Sequence, residues 1–155
     1  MEIFCSSPHK VKMIENSINA IKNEFNLQSI YSGELNLVEL AYNKQRKQYD
    51  AAILLDFLIM KKKEKIALWF VSEDIYATGT NFIFGLAIYY KGAVLSTYRL
   101  TSDLITKEAI HEIGHVLGLE HCKNYCVMKF SNSIYEVKLK PSNLCENCSK
   151  KLKLG

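Results

Sequence analysis

No apolar run in this 155-residue chain comes near the roughly 18–20 residues that span a bilayer. The longest, AAILLDFLIM (51–60) and FIFGLAIYY (82–90), have the length of buried helices or strands, so no membrane partner is expected. The opening MEIFCSSPHKVK lacks a basic leader followed by an apolar segment. No secretory signal is therefore expected, and the cytoplasm is the expected compartment. Arginine is scarce, whereas a dedicated nucleic-acid binder interleaves arginines with aromatics and is more basic than this chain at +4. The lysine runs KKKEK (61–65) and SKKLKLG (149–155) read as solvated surface, and nucleic acid is not expected as a partner. Internal repeats and low-complexity linkers are also missing, which leaves one domain's worth of sequence around one core. A monomer is expected.

The chain does alternate between strand-like and helix-like segments. MEIFC opens as a short strand, and KVKMIENSINAIKNEFN (10–26) places Val11, Ile14, Ile18, Ile21 and Phe25 at helical spacing. Residues 27–38 return to β-like character, and the stretch from Asn43 to about Lys63 reads as a second helix. IALWFVS (66–72) is a buried strand, and EDIYATGT a loop turning at Gly79. FIFGLAIYY and AVLSTYRL form a hairpin about a tight turn at Lys91-Gly92. Thr101, Ser102 and Asp103 offer N-cap chemistry to a helix over 103–118. The order predicts a single compact α/β (α+β) domain, a mixed twisted sheet over that last helix. Residues 1–118 form the sheet and helix part, and 119–155 a small C-terminal subdomain whose apolar positions are too sparse for a core of its own.

Three of the four histidines fall in HEIGHVLGLEHCKNYCVM (111–128). His111 and His115 are four residues apart, one helical turn, so both project from one face. That separation suits two imidazoles on one zinc at about 2.0–2.1 Å each. Glu112 projects about 100° round the helix from His111, within reach of a zinc-bound water without being a ligand. Ile110, Ile113, Val116 and Leu117 lie opposite, toward the core. Gly118 ends the helix in a turn that brings His121 back as third ligand, leaving the fourth position to water as in a catalytic site. Zinc brings the pKa of such a water to about 7, and Glu112 serves as general base, a contribution of roughly 10²–10⁴-fold. The expected reaction is hydrolysis of a peptide bond in a peptide or protein substrate.

Cys122 and Cys126, then Cys145 and Cys148, form two close pairs. Four thiolates satisfy a tetrahedral zinc completely, so this is expected to be a structural ion that organises the C-terminal segment. Two disulfides would need a more oxidising compartment. Two zinc ions per chain are expected, one catalytic and one structural. Cys122 adjoins His121, so losing the cysteine site should misplace His121. Cys5, alone in an apolar strand, reads as a small buried hydrophobe.

HEIGHVLGLEH, continuing into CKNYCVM and CENC, resembles the metzincin peptidases and within them the archaemetzincins. EDIYATGTNFIFGLA and QRKQYDAAILL are similar to that family's upstream segments. The resemblance implies a metzincin-like fold and a zinc metallopeptidase. It implies His111, His115 and His121 as catalytic zinc ligands and Glu112 as base. It further implies Cys122, Cys126, Cys145 and Cys148 as structural zinc ligands and Met128 in a methionine turn beneath the metal. It also implies that the strand within 82–89 is a sheet edge that pairs antiparallel with substrate. Some metzincins carry a tyrosine two residues past the methionine; here that position is Phe130, so no tyrosine ligand is expected from it.

An aminopeptidase acting on short peptides is one variant, with Glu73 and Asp74 as candidates to hold an α-amino group. The segment after the methionine, KFSNSIYEVKLKPSN (129–143), would build the specificity pocket, and its lysines tilt it toward acidic side chains. The alternatives are a non-catalytic binding module with two structural zinc ions, or a latent peptidase. Glu112 argues against the first, since a structural site needs no base beside its first ligand.

Overall fold

Side-chain alternation along the central strands sorts the apolar residues into two cores, one on each face of a sheet. A computed structural model of the chain describes residues 1–7 and 11–154, with the side chains of Val11 and Leu154 outside the description. Strand β1 (Glu2–Cys5) leads to helix α1 (Val11–Phe25) and strand β2 (Ile30–Glu34). Short strands β3 (Tyr42–Asn43) and β4 (Gln48–Asp50) precede helix α2 (Ala51–Lys61), and strand β5 (Ala67–Val71) and the two-residue β6 (Ile75–Tyr76) follow. The hairpin β7 (Gly85–Ile88) and β8 (Gly92–Ser96) then delivers the chain to helix α3 (Ser102–Val116), and helices α4 (Ile134–Leu139) and α5 (Glu146–Leu154) complete it.

The main sheet has the order β2-β1-β5-β8-β7, parallel throughout except that β7 runs antiparallel to β8. Ile3, Leu68, Phe70, Ala93 and Leu95 point to one face, where α1 and α3 cover them with Ile14, Ile21, Leu104, Ile105 and Ala109. Phe4, Trp69, Val71 and Val94 point to the other, where α2 packs Leu54, Leu55 and Leu58. Period-two alternation thus gives both faces of the sheet an apolar set, as a sheet buried on both sides requires. The expected α/β domain, with its mixed sheet over the 103–118 helix, is the architecture found.

The second helix is shorter than its predicted span of Asn43 to Lys63. It starts at Ala51 because the Asp50 carboxylate accepts from the N–H groups of Ala52 (2.9 Å) and Ile53 (3.4 Å), fixing the N-cap there. The residues before it pair as strands, with Tyr49 opposite both Tyr42 and Ile75. The hairpin turn falls at Tyr89–Lys91 with Tyr90 at φ 55, one residue earlier than the predicted Lys91-Gly92. Thr101 is the N-cap of α3, but its hydroxyl donates to Asp103 at 2.7 Å and caps no helix N–H.

After α3 the chain has little regular structure, yet Leu119, Cys126, Val127, Met128, Val137 and Cys148 are buried in the same apolar cluster as α1, α3 and one sheet face. Among the described residues, no helix is long and apolar enough to cross a membrane.

Candidate active site

Helix α3 lies with Ile110, Ile113 and Val116 in the core and presents His111 and His115 to an open cleft. Their Nε2 atoms are 3.1 Å apart. Gly118, at φ +99, turns the chain: the Leu119 N–H donates to the Gly114 carbonyl (2.9 Å) and the Gly118 N–H to that of His115 (3.0 Å). This pair of bonds is a Schellman closure, which needs a left-handed residue at the glycine. The turn returns His121 to within 5.4 Å of the His111 ring and 4.7 Å of the His115 ring, centroid to centroid. One ligand nitrogen from each of the three histidines lies within 4.8 Å of the other two.

Backbone carbonyls orient the imidazoles. His111 Nδ1 is 2.8 Å from the Val127 carbonyl and His115 Nδ1 is 2.7 Å from that of Leu119. A carbonyl only accepts, so at these contacts, both shorter than the 3.3 Å from Lys140 Nζ to His111 Nδ1, each Nδ1 carries the proton and each Nε2 keeps its lone pair for a metal. Burial holds all three histidines below the ordinary imidazole range, with the Lys140 ammonium adding to the effect. A neutral trio of nitrogens converging on one point, with open space on the fourth side, fits a zinc ion.

Glu112 is buried beside this focus. Burial, reinforced by the charge of Glu108, pushes its carboxyl up to about 8, while Lys140 opposes the shift. Strand β7 passes so close that a Cβ at Gly85 would lie 2.6 Å from Glu112 Oε1. Beneath the helix the Met128 side chain occupies the space a Cβ on Gly114 would need. Met128 is fully buried.

The four C-terminal cysteines also converge. Their sulfurs lie within 4.8 Å of one another and none is in a disulfide. The Cys122 and Cys145 sulfurs are 3.8 Å apart, and a tetrahedron with Zn–S of about 2.3 Å has edges of about that length. Cys126 Sγ accepts from the N–H groups of Met128 (3.5 Å) and Cys145 (3.3 Å), as a thiolate ligand does. The Cys148 N–H draws the Cys145 thiol down to about 6, whereas burial pushes Cys126 and Cys148 up. The clusters are joined through Cys126-Val127-Met128, whose middle carbonyl holds His111.

Three participants escaped the sequence reading. Gly85 was only a residue in a strand. Glu108 lies one turn before Glu112 on the same helix face, a spacing legible in KEAIHE (107–112). Lys140 comes from far along the chain, and no local pattern reveals that its ammonium sits 2.7 Å from Glu108 and 3.3 Å from His111 Nδ1. By contrast, Glu73 and Asp74 do not line the cleft, and Asp74 is held by Arg99 (2.8 Å) and Gln48 (2.9 Å).

Residues 9–154 match the model of peptidase family M54. The chain belongs to that family. It is similar to the archaemetzincin of Nanoarchaeum equitans, 48% identical over 124 residues that cover 79% of this chain and 73% of the relative. Similarity to the archaemetzincin of Archaeoglobus fulgidus is 40% over 153 residues, 94% of this chain and 92% of the other. The crystal structure of the Methanopyrus kandleri archaemetzincin superposes with a TM-score of 0.91 at 34% identity, covering 99% of this chain and 92% of that one. The protein is thus a zinc metallopeptidase of the archaemetzincin family, as the histidine and cysteine motifs implied.

Proposed function

We propose that the protein hydrolyses peptide bonds with Glu112 as general base, His111, His115 and His121 as ligands of a catalytic zinc, and Cys122, Cys126, Cys145 and Cys148 as ligands of a second, structural zinc. The observation that carries this reading is the separation of roles in the cleft. Three histidine nitrogens converge on one point, while Glu112 stands beside them outside that trio, in a cleft of about 730 Å³. When bound, zinc supplies a Lewis acid for the scissile carbonyl and an acidified water.

The chain's own residues do the rest. The Val127 and Leu119 carbonyls fix the tautomers of His111 and His115. Glu112, held between α3 and Gly85, takes the proton of the attacking water and passes it to the leaving amine. Strand β7 is the last strand of the sheet, so its outer edge offers N–H and C=O groups to an extended substrate laid antiparallel along it. Met128 packs under the histidines and takes no part in the chemistry. In this reading residues 1–118 carry the sheet and catalytic helix, and 119–155 form the zinc-organised subdomain of a cytoplasmic monomer.

Glu112→Ala tests the mechanism. The variant should keep its zinc and lose about 10²–10⁴-fold in peptide hydrolysis; cleavage at the wild-type rate would remove Glu112 from the mechanism. A panel of N-terminally blocked and free peptides separates internal cleavage from the aminopeptidase mode. Preference for free N-termini would support the second.

A further inference from the structure

The cleft carries a second carboxylate, Glu108, whose charge helps raise Glu112 but to which the reaction above assigns no proton transfer. Glu108 is 2% exposed, yet it lines the cleft together with Phe82, Phe84, His111 and Phe130. Its Oε1 is 2.7 Å from the Lys140 ammonium, an ion pair whose two side chains are 3% and 1% exposed. Among the described residues no N–H or O–H donates to Oε2, and the fully buried Oε1 has only that ammonium beside it.

Lys140 cannot easily turn away. Its ammonium also donates to the Lys129 carbonyl at 3.2 Å, and its own carbonyl accepts from Lys107 Nζ at 2.7 Å. Lys140 itself does not line the cleft. The lysines of 129–143 therefore do not make an acidic-selective pocket: the buried one neutralises Glu108 from behind, and the group facing a ligand is an acceptor. Phe82 and Phe84, edge to face at 5.4 Å, and Phe130 line the same cleft, with Asn81, Ser131 and Asn132 among its polar groups. The cleft therefore sets three aromatic rings beside polar groups, among which Glu108 is a buried acceptor distinct from the proposed base.

We propose that Glu108 sets the specificity of the cleft, selecting a substrate side chain with an apolar stem and a hydrogen-bond donor at its tip, and rejecting carboxylate tips. The proposal rests on the peptidase reading. A ligand that leaves Oε2 unpaired forfeits the hydrogen bonds this oxygen makes to water in the open cleft. A donor replaces them, whereas a second carboxylate would set acceptor against acceptor with the cleft's water displaced. Because Lys140 already balances the charge, a neutral phenol or amide serves as the donor. Tyrosine and glutamine are the expected residues.

The test uses fluorescence-quenched peptides of alanine and glycine with one varied position, moved along the chain, occupied by Tyr, Phe, Gln, norleucine or Glu. With zinc-loaded enzyme, kcat/KM should favour Tyr over Phe and Gln over norleucine by about 10-fold or more, with Glu poorest. In Glu108→Gln the amide oxygen must face the Lys140 ammonium, which turns the NH₂ into the cleft. The Gln-over-Glu preference should then reverse. Glu108→Leu combined with Lys140→Met, which replaces the pair by apolar groups of similar size, should erase the donor preference. Phe and norleucine matching or exceeding their partners in the wild type would overturn the proposal, as would preferences that persist in a folded variant. If zinc-loaded protein cleaves none of the peptides, the peptidase reading fails by itself. Fluorescence-anisotropy Kd values for the same peptides then decide this proposal by the same ratios.

Discussion

Gly85→Ala is the smallest change that should disable the site while sparing the fold. Gly85 has no positive φ that would strain an alanine, so the consequence is purely one of space. The added methyl would lie 2.6 Å from Glu112 Oε1 and 2.7 Å from its Cδ and Cγ, where ordinary contact begins at 3.4 Å. The obstacle is a side chain, so Glu112 gives way and the strand stays. It must retreat by roughly 0.8 Å, and a displacement of about 1 Å in a catalytic group costs on the order of 10²-fold in rate. At about 1.4 kcal/mol per factor of ten, that is a loss of about 3 kcal/mol of transition-state stabilisation. Hydrolysis of a fluorescence-quenched peptide should fall by that factor, with zinc content and melting temperature close to wild type. Gly92→Ala is the matched control. There the methyl would meet the Ala67 backbone oxygen at 2.6 Å, an obstacle that cannot rotate aside, so the melting temperature should drop. A Gly85→Ala enzyme as fast as the wild type would refute this placement of Glu112.

Other perturbations follow the same logic. Met128→Ala leaves a void under Gly114 and should lower the unfolding free energy by about 2–5 kcal/mol in a denaturant titration; a change under half a kcal/mol would mean the site collapses freely. Cys126→Ser should empty the cysteine site and, through the Val127 carbonyl on His111, weaken zinc at the histidines by about 10–100-fold in a chelator competition. Unchanged histidine-site affinity would show that the two clusters are independent. Asp74 tests the pH dependence: burial alone would raise its carboxyl, but hydrogen bonds from Arg99 and Gln48 hold it below the ordinary 3.8. A depressed carboxyl contributes stability that is present above that value and lost as pH falls through the native-state one. Below pH 3.8 the wild type should therefore lose melting temperature faster than Asp74→Asn, and parallel curves would count against the network.

How much of this was legible beforehand depended on range. HEIGHVLGLEH encodes a helix, a closing turn and a returning ligand within eleven residues, so helical spacing and one glycine place all three histidines. The paired cysteines were as plain, because metal-ligand spacing is local. The second helix was read too long because its apolar middle masked the N-cap at Asp50 and strand pairings with partners such as Ile75. Residues 119–155 looked coreless because their few apolar residues are buried against α1 and α3, not against one another. Gly85 over Glu112 and Lys140 on Glu108 join segments 27 and 32 residues apart, and only the folded chain brings them together.

The central claim is a division of labour between two metal sites, and a zinc titration of metal-depleted protein followed by peptide hydrolysis tests it directly. Four thiolates should fill first, so hydrolysis should stay silent through the first equivalent and rise as the second binds. Full activity at one equivalent, or none with two bound, would contradict the account.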